Sequence, residues 1–117
     1  MTNLAYIQQL IDLRRYKQAE EMLRQALATD PNDSELHATL AFVLYRQDHD
    51  AEALQEIQTA ISLAPSDSQN HYLLAHIQLS LGHEVAALTA IQDALRLNPT
   101  EARFHATLGR IYARRKE

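Results

Sequence analysis

Residues 34–65 read SELHATLAFVLYRQDHDAEALQEIQTAISLAP. The stretch holds two amphipathic segments, separated by the polar break Asp48-His49, and it ends on Pro65. In the first segment Leu36, Leu40, Ala41, Val43 and Leu44 recur at helical spacing, and in the second Ala53, Leu54, Ile57, Ala60 and Ile61 do the same. Pro31, Pro65 and Pro99 stand 34 residues apart. Proline fixes its own φ and disfavours helical geometry in the residue before it, so each marks a turn between helices.

The same spacing runs outward from this unit. HATLA at His37 returns as HYLLA at His71 and as HATLG at His105. ALQEIQTAISLAP from Ala53 returns as ALTAIQDALRLNP from Ala87. Hydrophobic spacing predicts helices over residues 3–14, 17–29, 33–47, 50–63, 67–81, 84–97 and 101–115. Short breaks between them imply antiparallel neighbours. Thr2 or Asn3 is expected to cap the first helix. Asn32 with Glu35 and Ser66 with Gln69 are expected to act as capping pairs, and Thr100 recurs at the same phase. Gly82 falls where a helix end favours glycine.

Composition agrees with an all-α chain. Ala, Leu, Gln, Glu and Arg dominate, against two glycines and three prolines. A hydrophobic fraction of 46% with 22% charged residues is that of a folded chain, not a disordered one. The net charge of −4 argues against nucleic acid as a partner, because that needs a basic footprint. The charge is uneven: Arg103, Arg110, Arg114, Arg115 and Lys116 make the last segment basic. The absence of cysteine excludes disulfides and thiolate metal sites. The N-terminus lacks the basic and apolar regions of a secretory signal, and no apolar run is long enough to span a bilayer. The expectation is a cytoplasmic protein with no direct membrane insertion of this segment.

These residues resemble the tetratricopeptide repeat (TPR) family, whose 34-residue pattern is W-x2-L-G-x2-Y, then A-x3-F, then P. One unit supplies His37, Leu40, Ala41, Leu44, Ala53, Ile57, Ala60 and Pro65. The next supplies His71, Leu74, Ala75, Gln78, Ala87, Ile91, Ala94 and Pro99. An earlier one gives Ala19, Leu23, Ala26 and Pro31, and a last half-unit gives His105, Leu108, Gly109 and Tyr112. Small residues in phase let helices approach closely, and large ones fill the spaces between. Histidine stands where the pattern has Trp, and Leu44 and Gln78 stand where it has Tyr, so somewhat looser packing is expected. The resemblance implies a right-handed superhelical solenoid of seven helices. It divides one domain, 1–117, into repeats at about 1–33, 34–67 and 68–101 and a half repeat at 102–117.

No chemistry of catalysis stands out, so no enzyme and no cofactor are expected. Three of the histidines, His37, His71 and His105, recur with the repeat. Equivalent residues of packed helices lie about 10 Å apart, too far for one metal ion with bonds of about 2 Å. No metal site is expected.

The resemblance implies instead that the first helix of each unit lines a concave groove. Leu4, Gln8, Ile11 and Asp12 would start it, followed by Glu35, Ala38, Thr39, Phe42, Tyr45 and Arg46. Gln69, Tyr72, Leu73, His76, Leu79 and Ser80 would continue it, and Arg103, Ala106, Thr107, Arg110, Ala113 and Arg114 would close it. The residues singled out for peptide binding are Phe42, Tyr45, Arg46, Tyr72, His76, Leu79, Arg103, Arg110 and Arg114. Aromatics beside arginine are the types enriched at binding hot spots. One TPR subclass grips a terminal carboxylate with Lys and Asn; Leu4, Gln8, Ala38 and Phe42 occupy that region, so that clamp is missing. The expected function is a non-catalytic scaffold that binds a peptide or partner protein in the groove. The alternatives are self-association through the last helix, giving a homodimer, and the repeat region of a larger assembly or membrane-associated protein. That helix is expected to present Phe104, Leu108, Ile111 and Tyr112 to a missing partner helix. The sequence therefore reads as the N-terminal part of a longer repeat protein, with an abbreviated cap as the competing explanation.

Overall fold

The computed structural model describes residues 3–115. They form seven helices and, among the described residues, no strand: α1 (Leu4–Asp12), α2 (Tyr16–Thr29), α3 (Ser34–Arg46), α4 (Asp50–Leu63), α5 (Ser68–Ser80), α6 (Glu84–Leu97) and α7 (Ala102–Arg115). Each packs on its chain neighbours, and α3 also touches α5. With extents of 45 × 26 × 22 Å the molecule is an elongated stack of helices, not a globule. It is an all-α helical-repeat solenoid, as the sequence implies.

The helices end where the sequence places turns, with local corrections. Asp33 caps α3 by accepting from the Glu35 and Leu36 amides, and Asp67 caps α5 by accepting from the Gln69 amide. Asn32 and Ser66 do not cap, because Pro31-Asn32 and Pro65-Ser66 are spent on the turn itself. Thr100 lies in the equivalent turn, and Glu101 takes the capping position, 3.5 Å from the Arg103 amide. Asn3 caps α1 through the Tyr6 amide, while Thr2 lies outside the described residues. Tyr16 opens α2, so the first break is Leu13–Arg15 and not Arg15-Tyr16.

Breaks within each pair share one backbone device. Arg14, Asp48 and Gly82 are 34 residues apart and all have positive φ, at 61°, 65° and 83°. Only Gly82 adopts this left-handed conformation without a steric penalty.

The repeated small residues sit where close approach needs them. Ala19, Ala41, Ala53, Ala60, Ala75, Ala87 and Ala94 are fully buried. One core cluster runs from Ile7 to Ile77 through Leu23, Leu36, Leu40, Leu44 and Ile57. A second gathers Ala75, Leu79, Ala87, Ile91, Phe104 and Ile111. Burial of Phe104 and Ile111 corrects the expectation that α7 offers them to a missing helix. They face the preceding units; of the four, only Tyr112 is strongly exposed, with Leu108 half-buried.

The three repeat histidines are more than packing substitutes. Nε2 of His37, His71 and His105 lies 2.7, 3.0 and 2.7 Å from the carbonyl oxygens of Pro31, Pro65 and Pro99. A carbonyl can only accept, so each Nε2 carries the proton and ties its helix to the preceding turn. His37 also directs Nδ1 to Glu56 at 2.8 Å. Both ring nitrogens then donate, which favours the imidazolium. Burial works against that charge, but the bonds to Glu56 and Pro31 and the nearby Glu56 and Asp33 carboxylates together raise the His37 pKa.

Candidate functional site

The first helices of successive pairs place side chains around one concavity of about 510 Å³. From α1 come Gln8 and Ile11, and from α3 come Ala38, Thr39, Phe42, Tyr45 and Arg46. From α5 come Gln69, Asn70, Tyr72, Leu73 and His76, and Arg103 from α7 closes the wall. Phe42, Tyr45, Arg46, Tyr72, His76 and Arg103, all singled out from the sequence, are brought together here. Helical periodicity explains it: residues three and four apart share a face, and antiparallel pairing turns the first-helix faces the same way.

The aromatic wall is ordered by its own contacts. The Tyr72 ring lies 5.0 Å from Phe104 and meets His76 edge-on at 4.6 Å. The guanidinium of Arg103 sits over Tyr72 at 5.3 Å, within cation–π range. At the opposite side Arg46 lies over Tyr16 at 5.8 Å. His76 Nε2 is 3.3 Å from the Thr107 hydroxyl. Burial, and then the charge of Arg110, lower the His76 pKa, so the ring favours its neutral form. The lining contains two arginines and no carboxylate, although the chain is net negative.

Three of the singled-out residues do not line the concavity. Leu79 is buried in the second core cluster, because its face of α5 turns toward α6 and α7. Arg110 is not part of the lining, and its charge disfavours protonation of His76. Arg114 pairs with Glu84 at 3.4 Å. That pair belongs to a repeated junction, in which the residue near the end of one first helix meets the start of the preceding second helix. Arg46 meets Tyr16, Ser80 donates to Asp50 Oδ2, and Arg114 meets Glu84, each step 34 residues on. The middle junction lacks a cation, and Asp50 Oδ1 is shielded from water without a partner.

Sequence reasoning missed Asn70. It occupies the position of Leu36 and Phe104 and is only 5% exposed. A polar residue at an otherwise apolar repeat position was the signal. Sequence reasoning also missed Glu20, nearly buried, which accepts from Gln47 and Arg24 at 3.0 and 2.9 Å. Burial raises its pKa, but these partners and Lys17 outweigh it and leave the carboxyl below its usual range. This network ties α2 to α3 and, through Arg24 and Glu52, to α4. Among the described residues no His, Asp and Glu group has metal-site geometry, and no helix is long and apolar enough to cross a membrane.

The helix pairs and their shared concave face define a helical-repeat protein of the kind that offers extended binding surfaces. Tetratricopeptide repeat models match residues 10–77 and 68–101, and the chain belongs to that family. A thermophilic TPR protein of Thermus thermophilus is 27% identical, with a TM-score of 0.86 over 94% of this chain and 62% of that one. MamA from Desulfovibrio magneticus is 25% identical, with a TM-score of 0.86 over 91% of this chain and 60% of that one. This chain thus spans about three-fifths of those relatives. The first TPR of Spaghetti (RPAP3), solved with an HSP90 peptide, has the same fold, with a TM-score of 0.92 at 17% identity over 97% of this chain and 90% of that one. A search of curated protein sequences finds no significant match. TPR folds are protein-interaction modules and are generally non-catalytic.

Proposed function

We propose that the chain is a non-catalytic scaffold that binds a peptide segment of a partner protein along its concave face. The observation that carries this reading is the convergence of Phe42, Tyr45, Tyr72 and two arginines from three different helices on one concavity. Rigid aromatics contribute large contact area at low entropic cost, and arginine adds directional donors. In Spaghetti the same fold was solved holding a peptide. The charge of Arg110, felt at His76, adds to the positive field of the two lining arginines. The test is a pull-down of partners with the wild-type chain and with the double variant Tyr72→Ala, Arg110→Glu. Loss of the captured partner with the helical fold retained by circular dichroism is expected; unchanged affinity overturns the groove reading.

A second reading, self-association through α7, is favoured by one observation. A Cβ placed on Gly109 would meet open space, whereas its counterparts Ala41 and Ala75 are fully covered. Tyr112, 52% exposed, stands beside it. Sedimentation of the wild type against Tyr112→Glu checks this. A dimer lost on substitution supports it, and a monomer at high concentration removes it.

A further inference from the structure

Two surfaces at opposite ends of the helix stack lie outside the concave face. At one end α1, α2 and the turn after α2 enclose a second concavity of about 540 Å³. Its floor is apolar, with Ile7 buried and Met22 and Ala26 half-buried. Its rim is polar and exposed, and carries Asn3, Gln25 and Asp30. Asn3 accepts from the Tyr6 amide through Oδ1, which leaves its Nδ2 group as a donor. Asp30 makes no ion pair among the described residues. At the other end, on α7, Tyr112 is strongly exposed. Arg115 is exposed as well, and it too makes no ion pair among the described residues. Three residues apart on a helix, the two side chains share one face. Gly109 belongs to the same face, and the open space beside its backbone lets another chain approach closely.

We propose that Tyr112 and Arg115 of one copy dock into the α1–α2 concavity of a second copy, head to tail. The proposal rests on the self-association reading above and names the face that α7 meets. The two surfaces match in chemistry. A phenol has an apolar body and a polar tip, which suits an apolar floor beneath a rim of amides. The Met22 thioether adds a favourable contact to the ring. Arg115 and Asp30 supply opposite charges, and a guanidinium with a carboxylate forms the stronger kind of hydrogen bond. A pairing of α7 with α7 would leave the concavity and Asp30 unused. The contact is heterologous, because the two surfaces belong to opposite ends of the molecule. Two joined copies still leave one concavity and one Tyr112 free, so association continues into open chains.

Sedimentation of the full chain and of two variants tests the geometry. Tyr112→Glu spoils the docking end and keeps the concavity. The double variant Gln25→Arg, Asp30→Arg sets two cations against Arg115 and keeps the docking end; both positions are exposed, and circular dichroism checks that the helices are retained. The wild type is expected to gain mass continuously with concentration, past two chains. Each variant alone should associate at least about tenfold more weakly, the scale of a lost aromatic anchor or of like charges brought together. A one-to-one mixture should form a species of two chains and nothing larger, since it offers one sound docking end and one sound concavity. If the Gln25→Arg, Asp30→Arg variant associates as the wild type does while Tyr112→Glu does not, this geometry is wrong and association through α7 stands. A mixture that stays monomeric also overturns the geometry. A wild type that remains monomeric at high concentration overturns both.

Discussion

At matched positions α3 carries Leu36, Phe42, Leu44, Tyr45 and Arg46, where α5 carries Asn70, His76, Gln78, Leu79 and Ser80. The two helices have the same length and the same kind of cap, and each packs on a second helix through buried alanines. Their interiors differ. Leu36 and Leu44 are fully buried without polar atoms, whereas Asn70 is a buried amide and Gln78 Oε1 is shielded without a donor. α5 remains helical because it is enclosed by α3, α4 and α6, and packing overrides a weakened apolar pattern. The difference teaches that the repeat geometry tolerates polar residues in one unit while its neighbours supply the core. Two of the tolerated residues, Asn70 and His76, line the concavity.

The largest expected effect breaks the comparison from the apolar side. Leu36→Ala should destabilise the protein by about 2–5 kcal/mol, the range for emptying a leucine site in a core. Urea unfolding measures it. A loss as small as that of a surface substitution would mean that the position is no more demanding in α3 than in α5.

The second sharpens it with pH. The folded-state pKa of His37 is raised, so its contribution to stability is fully present below the unfolded value of about 6.5 and is lost as pH rises through the folded value. The folded-state pKa of His76 is lowered, so its neutral burial contributes above about 6.5 and is lost as pH falls toward the folded value. Melting curves between about pH 5 and 8 should therefore respond in opposite senses. His37→Gln should remove a gain on acidification, and His76→Gln should remove a loss. Identical pH profiles for the two variants would contradict the assignment.

The smallest effect concerns the junctions. Ser80→Arg restores at the middle junction the side chain that Arg46 and Arg114 supply at the outer two, beside an Asp50 oxygen that lacks a partner. A gain of about 0.5–1 kcal/mol is expected, since the new pair is partly exposed. Thermal melting checks the sign, and destabilisation would show that the junction has no room for a guanidinium.

Much of the fold was legible because two periods, the helical one and the 34-residue one, agree throughout the chain. Matching small residues, Ala41 with Ala53 and Ala75 with Ala87, located the close contacts from the repeat alone. Capping was misplaced by one residue, because the sequence does not say how many residues a proline turn consumes before Asp33 or Asp67. Six of the nine residues singled out from the sequence line one concavity. Leu79 does not, because the register of α5 against α6 and α7, not its own period, decides which side is buried. Arg114 does not, because Glu84 of the preceding unit captures it.

The sequence alone determined the helices, their pairing and the family, since these follow from residue periodicity, turn chemistry and a repeat read along one dimension. Only the tertiary structure decided that Asn70 is enclosed, that Arg103 lies over Tyr72, and that the repeat histidines hold the turns through the proline carbonyls. The physical reason is distance. These relations join residues of different helices or of a helix and a turn, and they depend on how neighbouring units are set against one another. Helical period fixes the face on which a side chain lies, but packing fixes what that face meets.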